Sequence, residues 1–175
     1  MTDQVRAATQ ADLDAIVALA SAKRRQYSGY QPVYWAPAPD AEKKQGPYLA
    51  KLIGKEDVIT LVSESSGVVT GFVVGFMGDA PAVYDPGGRT CQIDDFVVEP
   101  GRWGSAGAQL LRAATEQAKD RGAIQVVVVA GHLDEEKREA LLACGLSIAS
   151  EWWVTPALTG PELGSQSWRD SLPRF

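Results

Sequence analysis

The chain has 175 residues, with 17 Lys and Arg against 22 Asp and Glu and a net charge of -5, which excludes the broad basic surface needed to neutralise many nucleic-acid phosphates. Hydrophobic residues make up 45% and charged residues 22%, as in an ordinary globular domain, and no run approaches the roughly 20 apolar residues of a membrane span. Met1 to Ala8 lacks the pattern of a signal peptide, so a single cytoplasmic domain over 1–175 is expected, with no membrane and no nucleic-acid partner.

Val5 to Ala8 reads as a short strand. Thr9 then caps a helix whose apolar stripe is Leu13, Ile16, Val17 and Ala20, ending in the solvated charges Lys23, Arg24 and Arg25. Gln26 to Pro39, with Tyr27, Tyr30, Tyr34 and Trp35, reads as an aromatic loop that either lines a pocket or covers one end of the core. A second helix is expected from about Asp40 to Ile53, broken or restarted near Gly46-Pro47.

Val58 to Val62 and Val68 to Met77 form a hairpin signature, and Thr90 to Val98 supplies a further strand after a Gly- and Pro-containing loop. A helix follows from about Ser105 to Arg121, on the stripe Gly107, Leu111, Ala114 and Ala118, stopped by Gly122. The valine run in Gln125 to Ala130 suits a strand covered on both faces. Because a helix separates it from the preceding strand, the two are expected to be parallel neighbours. Asp134 to Cys144 reads as a shorter helix, Leu146 to Thr155 as a last strand, and the tail from about 156 as irregular. Strand burial favours a core place for Trp152, Trp153 and Val154 over a homodimer contact. Cys91 and Cys144 read as buried small apolar residues, and with one His no metal site is expected.

The informative stretch joins the strand ending at Val98 to the next helix: Glu99-Pro100-Gly101-Arg102-Trp103-Gly104-Ser105-Ala106-Gly107. Small residues crowd a helix start, where unpaired N–H groups and the positive end of the dipole favour an anion. The stretch is a candidate pyrophosphate cradle, although the same glycines also serve a tight strand-to-helix turn. It has neither Walker nor dinucleotide-fingerprint spacing.

The order of elements and these residues together resemble the GNAT acetyltransferase superfamily over roughly Val5 to Thr155. The family's loop reads Arg/Gln-x-x-Gly-x-Gly/Ala before an aliphatic pair. With Leu110 and Leu111 on that pair, Arg102 takes the first position, Ser105 and Gly107 the small ones, and Gly104 is one residue out of register. The other frame places Gly104 and Ala106 on the small positions and Gly101 on the Arg/Gln position. Ile93-Asp94-Asp95-Phe96-Val97-Val98 resembles the acidic pair and hydrophobic run of GNAT enzymes.

The resemblance implies a mixed α/β (α+β) fold: a twisted sheet of about six to seven strands, about four helices, and a parallel strand pair around the acyl-CoA site. It implies acetyl-CoA as co-substrate, a small-molecule or peptide amine as acceptor, and direct acyl transfer. Val97 and Val98 would pair through their backbone with the pantetheine arm, and Ser105 to Gly107 would hold the pyrophosphate. Arg102 and Ser105 would meet phosphate, with Trp103 as a packing or lid residue. Asp134 stands where the family often has an Asn that touches CoA, and Leu141 where it often has the tyrosine that protonates the thiolate. Asp94 or Asp95 is the candidate base, and alternation places them on opposite faces. His132, after the valine strand, is a further candidate for proton transfer.

Overall fold

The computed structural model describes residues 3–156. Its sheet has five strands among the described residues: β1 (Gln4–Ala7), β2 (Val58–Ser65), β3 (Val68–Gly78), β4 (Arg89–Val98) and β5 (Ala123–Val128). They lie in chain order, antiparallel from β1 to β4, with β5 parallel to β4. The β2–β3 hairpin turns through Ser66 and Gly67 at φ 53° and 80°, the double positive φ that matches the twist of paired strands.

Helices α1 (Leu13–Tyr30) and α2 (Ala41–Leu52) cover one face, where Ile16 and Leu49 pack with Val62, Phe72, Val74 and Val97. Helices α3 (Ala108–Asp120) and α4 (Glu135–Ala143) cover the other, where Leu110, Leu111 and Leu141 meet Leu61, Val73, Ile93, Phe96 and Val98. The mixed α/β class, the four helices and the parallel pair therefore agree with expectation, while the sheet has five described strands rather than about six to seven.

Several local expectations are corrected. Helix α1 runs past Lys23 to Tyr30, because Tyr27 continues the buried stripe of Ile16 and Ala20. Lys23 thus lies inside the helix and pairs with Asp134. Helix α2 is continuous through Pro47, whose missing donor falls on an exposed side. Strand β5 is an edge strand with alternating burial: Val126 and Val128 join the core, while Ile124 is 53% and Val127 41% exposed.

Residues 146–155 form no strand. Trp152 and Trp153 are 80% and 89% exposed, and Trp152 meets Tyr34 edge-on at 6.0 Å between ring centres rather than joining the core. Cys91 is buried as expected, whereas Cys144 lies exposed at the end of α4. The tail expected to be irregular from about 156 lies, from 157 onward, outside the described residues.

Candidate active site

Strands β4 and β5 pair up to Ile93 and Val128, and the Val129 N–H still donates to the Ile93 carbonyl at 3.0 Å. Beyond that point they part. The Glu99 N–H donates to Thr70 on β3, so by alternation Val97 also turns its backbone groups to β3. Phe96 and Val98 turn theirs into the gap. Lys137 confirms the side, since its Nζ donates to the Phe96 carbonyl. The backbone groups turned into the gap are therefore those of Phe96 and Val98, with the Phe96 carbonyl already bound by Lys137, which corrects the expectation for Val97.

A bulge changes the acidic pair. Val74 pairs with Asp95 and Gly75 with Ile93, so Asp94 has no partner across the ladder. The extra residue lets Ile93 and Phe96, three positions apart, enter the same core cluster. Asp94 and Asp95 are then both turned away from it, toward Tyr48 of α2, whose phenol is raised by burial and by Asp95 and Asp94. Opposite faces for the two acids are thus overturned. Asp94 is exposed and Asp95 partly covered. Burial pushes the Asp95 carboxyl up, and Asp94 adds to the rise against Lys137 and Arg24.

The loop after β4 makes a π-helical turn over Trp103–Gly107 that runs into α3. The N–H groups of Ser105 and Gly107 both donate to the Arg102 carbonyl, at 3.2 and 3.0 Å. They are therefore not free for the phosphate role expected of them. The earlier donors of the turn, at Trp103 and Gly104, are those a helix start leaves without an intrahelical partner. Gly104 is open, since a Cβ there would meet nothing within 4 Å. Ser105 is exposed, and Ala106 and Gly107 are buried, with a Gly107 Cβ 2.9 Å from the Trp103 ring.

Arg102 is held by two carboxylates, Glu99 at 3.0 Å and Asp3 at 3.1 Å. Trp103 is buried and packs edge-on against Phe96 at 4.9 Å. His132 lies exposed in the loop after β5.

Asp134 does not face outward toward a ligand. It is buried, and its Oδ2 accepts from Lys23 Nζ at 2.9 Å and from the Tyr27 hydroxyl at 2.8 Å. Tyr27 in turn accepts the Gly131 N–H at 3.0 Å. Its phenol is raised, first by burial and then by Asp134, against the Gly131 bond. The network binds α1 to the start of α4 and uses the carboxylate expected to touch CoA.

Lys137 is the residue that sequence reading missed. Its neighbours Glu135, Glu136, Arg138 and Glu139 are exposed, yet Lys137 itself is 2% exposed. Its Nζ donates to Phe96 O at 3.1 Å and to Val129 O at 2.8 Å. Burial pushes the ammonium down to about 8, helped by Lys23 and opposed by Asp134, Asp95 and Asp94. The only signal in the sequence is its position three residues after the helix-starting Asp134, on the stripe that also carries Leu141.

Comparison with known proteins matches this architecture. The sequence model of the Acetyltransferase (GNAT) family fits residues 18–146, so the chain belongs to the GNAT acetyltransferase family. No match is found among curated proteins. The fold is similar to that of a predicted acetyltransferase with acetyl-CoA from Clostridium acetobutylicum, at TM-score 0.68 and 19% identity over 88% of this chain and 96% of that one. It is similar to a ribosomal-protein-alanine N-acetyltransferase from Brucella melitensis biovar Abortus 2308, at TM-score 0.60 and 17% identity over 88% and 98%. It is also similar to an aminoglycoside acetyltransferase from an uncultured soil metagenomic sample in complex with sisomicin, at TM-score 0.60 and 17% identity over 90% and 95%.

Proposed function

We propose that the chain is an acyl-CoA-dependent N-acyltransferase that moves an acetyl group from acetyl-CoA to the amine of a small molecule or peptide. The observation that carries this reading is the parting of β4 and β5 beyond Ile93 and Val129, with the backbone of Phe96 and Val98 facing the gap. A pantetheine arm carries amides, and it pairs as an added strand does with the backbone of Val98 and the N–H of Phe96. The open backbone at Gly104 suits the pyrophosphate at the helix start. Acetyl-CoA in one structural neighbour and an aminoglycoside in another support the co-substrate and a small-molecule amine.

The chain's own groups have distinct tasks in this reading. A gap-side N–H of β4 polarises the thioester carbonyl. Asp95, partly covered and with a raised carboxyl, accepts the proton of the attacking nitrogen, and Asp94 beside it favours a cationic amine. Holding the reactants in line supplies up to roughly 7 to 11 kcal/mol without a covalent intermediate.

A non-catalytic acyl-CoA-binding module is the second reading. The buried Leu141 favours it, because its apolar side chain has no proton to give. Amine-dependent release of free CoA thiol from acetyl-CoA, across a panel of polyamines, aminoglycosides and peptide N-termini, tests the choice. Release supports the transferase; binding without release for every amine supports the module.

A further inference from the structure

We infer that Lys137 is the proton donor to the departing CoA thiolate, an inference that rests on the acyltransferase reading above. One buried ammonium spans both arms of the gap where they separate, on Phe96 O at 3.1 Å and Val129 O at 2.8 Å. Those carbonyls take two of its three N–H bonds, and the third is left for a group arriving in the gap. The rings of Phe96 and Trp103 stand 5.4 and 5.6 Å from Nζ and keep its surroundings dry. One turn further along α4, Leu141 is apolar. Lys137 is thus the ionisable side chain that α4 turns inward.

The charged and titratable groups around it are Asp134 at the start of α4, Lys23 and Tyr27 on α1, and Asp94 and Asp95 on β4. Their balance, dominated by burial, leaves the ammonium at about 8. An acid of that strength is protonated near neutral pH and gives its proton readily.

The amine nitrogen forms a bond to the thioester carbonyl carbon. The carbon–sulfur bond then breaks, and its electron pair goes to sulfur. Lys137 passes a proton to that sulfur, while Asp95 takes one from the attacking nitrogen. Solvent carries the proton from Asp95 to the neutral Lys137, which restores both groups. The sum is amine plus acetyl-CoA giving amide plus CoA thiol.

The test compares wild type with Lys137→Gln and Lys137→Arg in three measurements: calorimetric affinity for acetyl-CoA, kcat against pH, and ultraviolet absorbance of the thiolate of bound CoA. The expected result is a kcat loss of about a hundredfold or more in the Gln variant, with acetyl-CoA affinity kept. The Arg variant keeps the charge but has no proton to give at this pH, so it does not restore kcat. The thiol of bound CoA should ionise about one to three pH units lower in wild type and the Arg variant than in the Gln variant. Wild-type kcat should fall above pH ~8 as the ammonium deprotonates.

Rescue by Arg, or an undiminished kcat in the Gln variant, overturns the inference and leaves Lys137 as a brace. If the Gln variant fails to fold, a wild-type kcat that stays level well above pH ~8 overturns it instead. If wild type binds and turns over acetyl-CoA but bound thiol ionisation is the same in all proteins, this inference alone falls. If wild type does not bind acetyl-CoA, the acyltransferase reading falls first.

Discussion

The Tyr27 hydroxyl and the Asp134 carboxylate, 107 positions apart in sequence, meet at 2.8 Å in the buried junction between α1 and the start of α4. The same carboxylate oxygen receives Lys23, and the same hydroxyl receives the Gly131 N–H. Tyr27→Phe removes the shared partner and leaves a buried N–H and part of a carboxylate unsatisfied, a cost of about 1 to 3 kcal/mol. Asp134→Ala also strands the Lys23 ammonium, at about 3 to 5 kcal/mol. Urea unfolding of the two variants should show this order.

The acid limb of stability is set in part by Asp12. Arg6 donates to both its carboxylate oxygens at 2.8 Å, and this pairing holds the carboxyl well below the usual range against the opposing effect of burial. The folded value lies below the unfolded one, so the contribution is present above pH ~4 and is lost as pH falls below it. The urea midpoint of wild type should drop over that window. Asp12→Asn should lower stability at neutral pH and flatten the acid dependence.

Gly71 is fixed by the strand and helix beside it. A Cβ there would lie 2.6 Å from Val98 Cγ1 and 3.0 Å from the Val97 carbonyl. Gly71→Ala should therefore cost about 1 to 3 kcal/mol by overpacking and displace Val98 at the gap. Thermal unfolding reads the first effect, and a weaker response to acetyl-CoA reads the second.

The bulge makes the two acids unequal. Asp95 is partly covered with its carboxyl raised, first by burial and then by Asp94, while Asp94 is exposed. Asp95→Asn should lower kcat by about a hundredfold or more, as loss of a general base does. Asp94→Asn removes a like charge, so the Asp95 carboxyl falls and the acid limb of kcat moves to lower pH. Profiles of CoA release for both variants check the two signs.

The β–α–β order and the parallel pairing of β4 with β5 were legible because a long amphipathic helix lies between two β-rich runs. The bulge is not, since it exists only in the register of β4 against β3, where Val74 pairs with Asp95 and Gly75 with Ile93. Strict alternation therefore placed Asp94 and Asp95 on opposite faces. Tyr27 read as loop because its neighbours are aromatic and polar, although it stands on the stripe of Ile16 and Ala20. Lys137 lies in a charged run that reads as a solvated helix face, and only the approach of Phe96 and Val129 from two other elements makes it a buried cation. At the loop, Arg102 could be read as a phosphate partner because nothing local announces Asp3, which holds it from the far end of the chain.

Thermal unfolding with and without acetyl-CoA decides whether the gap between β4 and β5 takes the arm of an acyl-CoA. At about 100 times its dissociation constant, a ligand bound only by the folded protein adds ~2.7 kcal/mol, a midpoint rise of about 5 to 10 °C for a domain of this size. That rise is expected with acetyl-CoA and with desulfo-CoA, and none with adenosine. No rise with acetyl-CoA at millimolar concentration would contradict it.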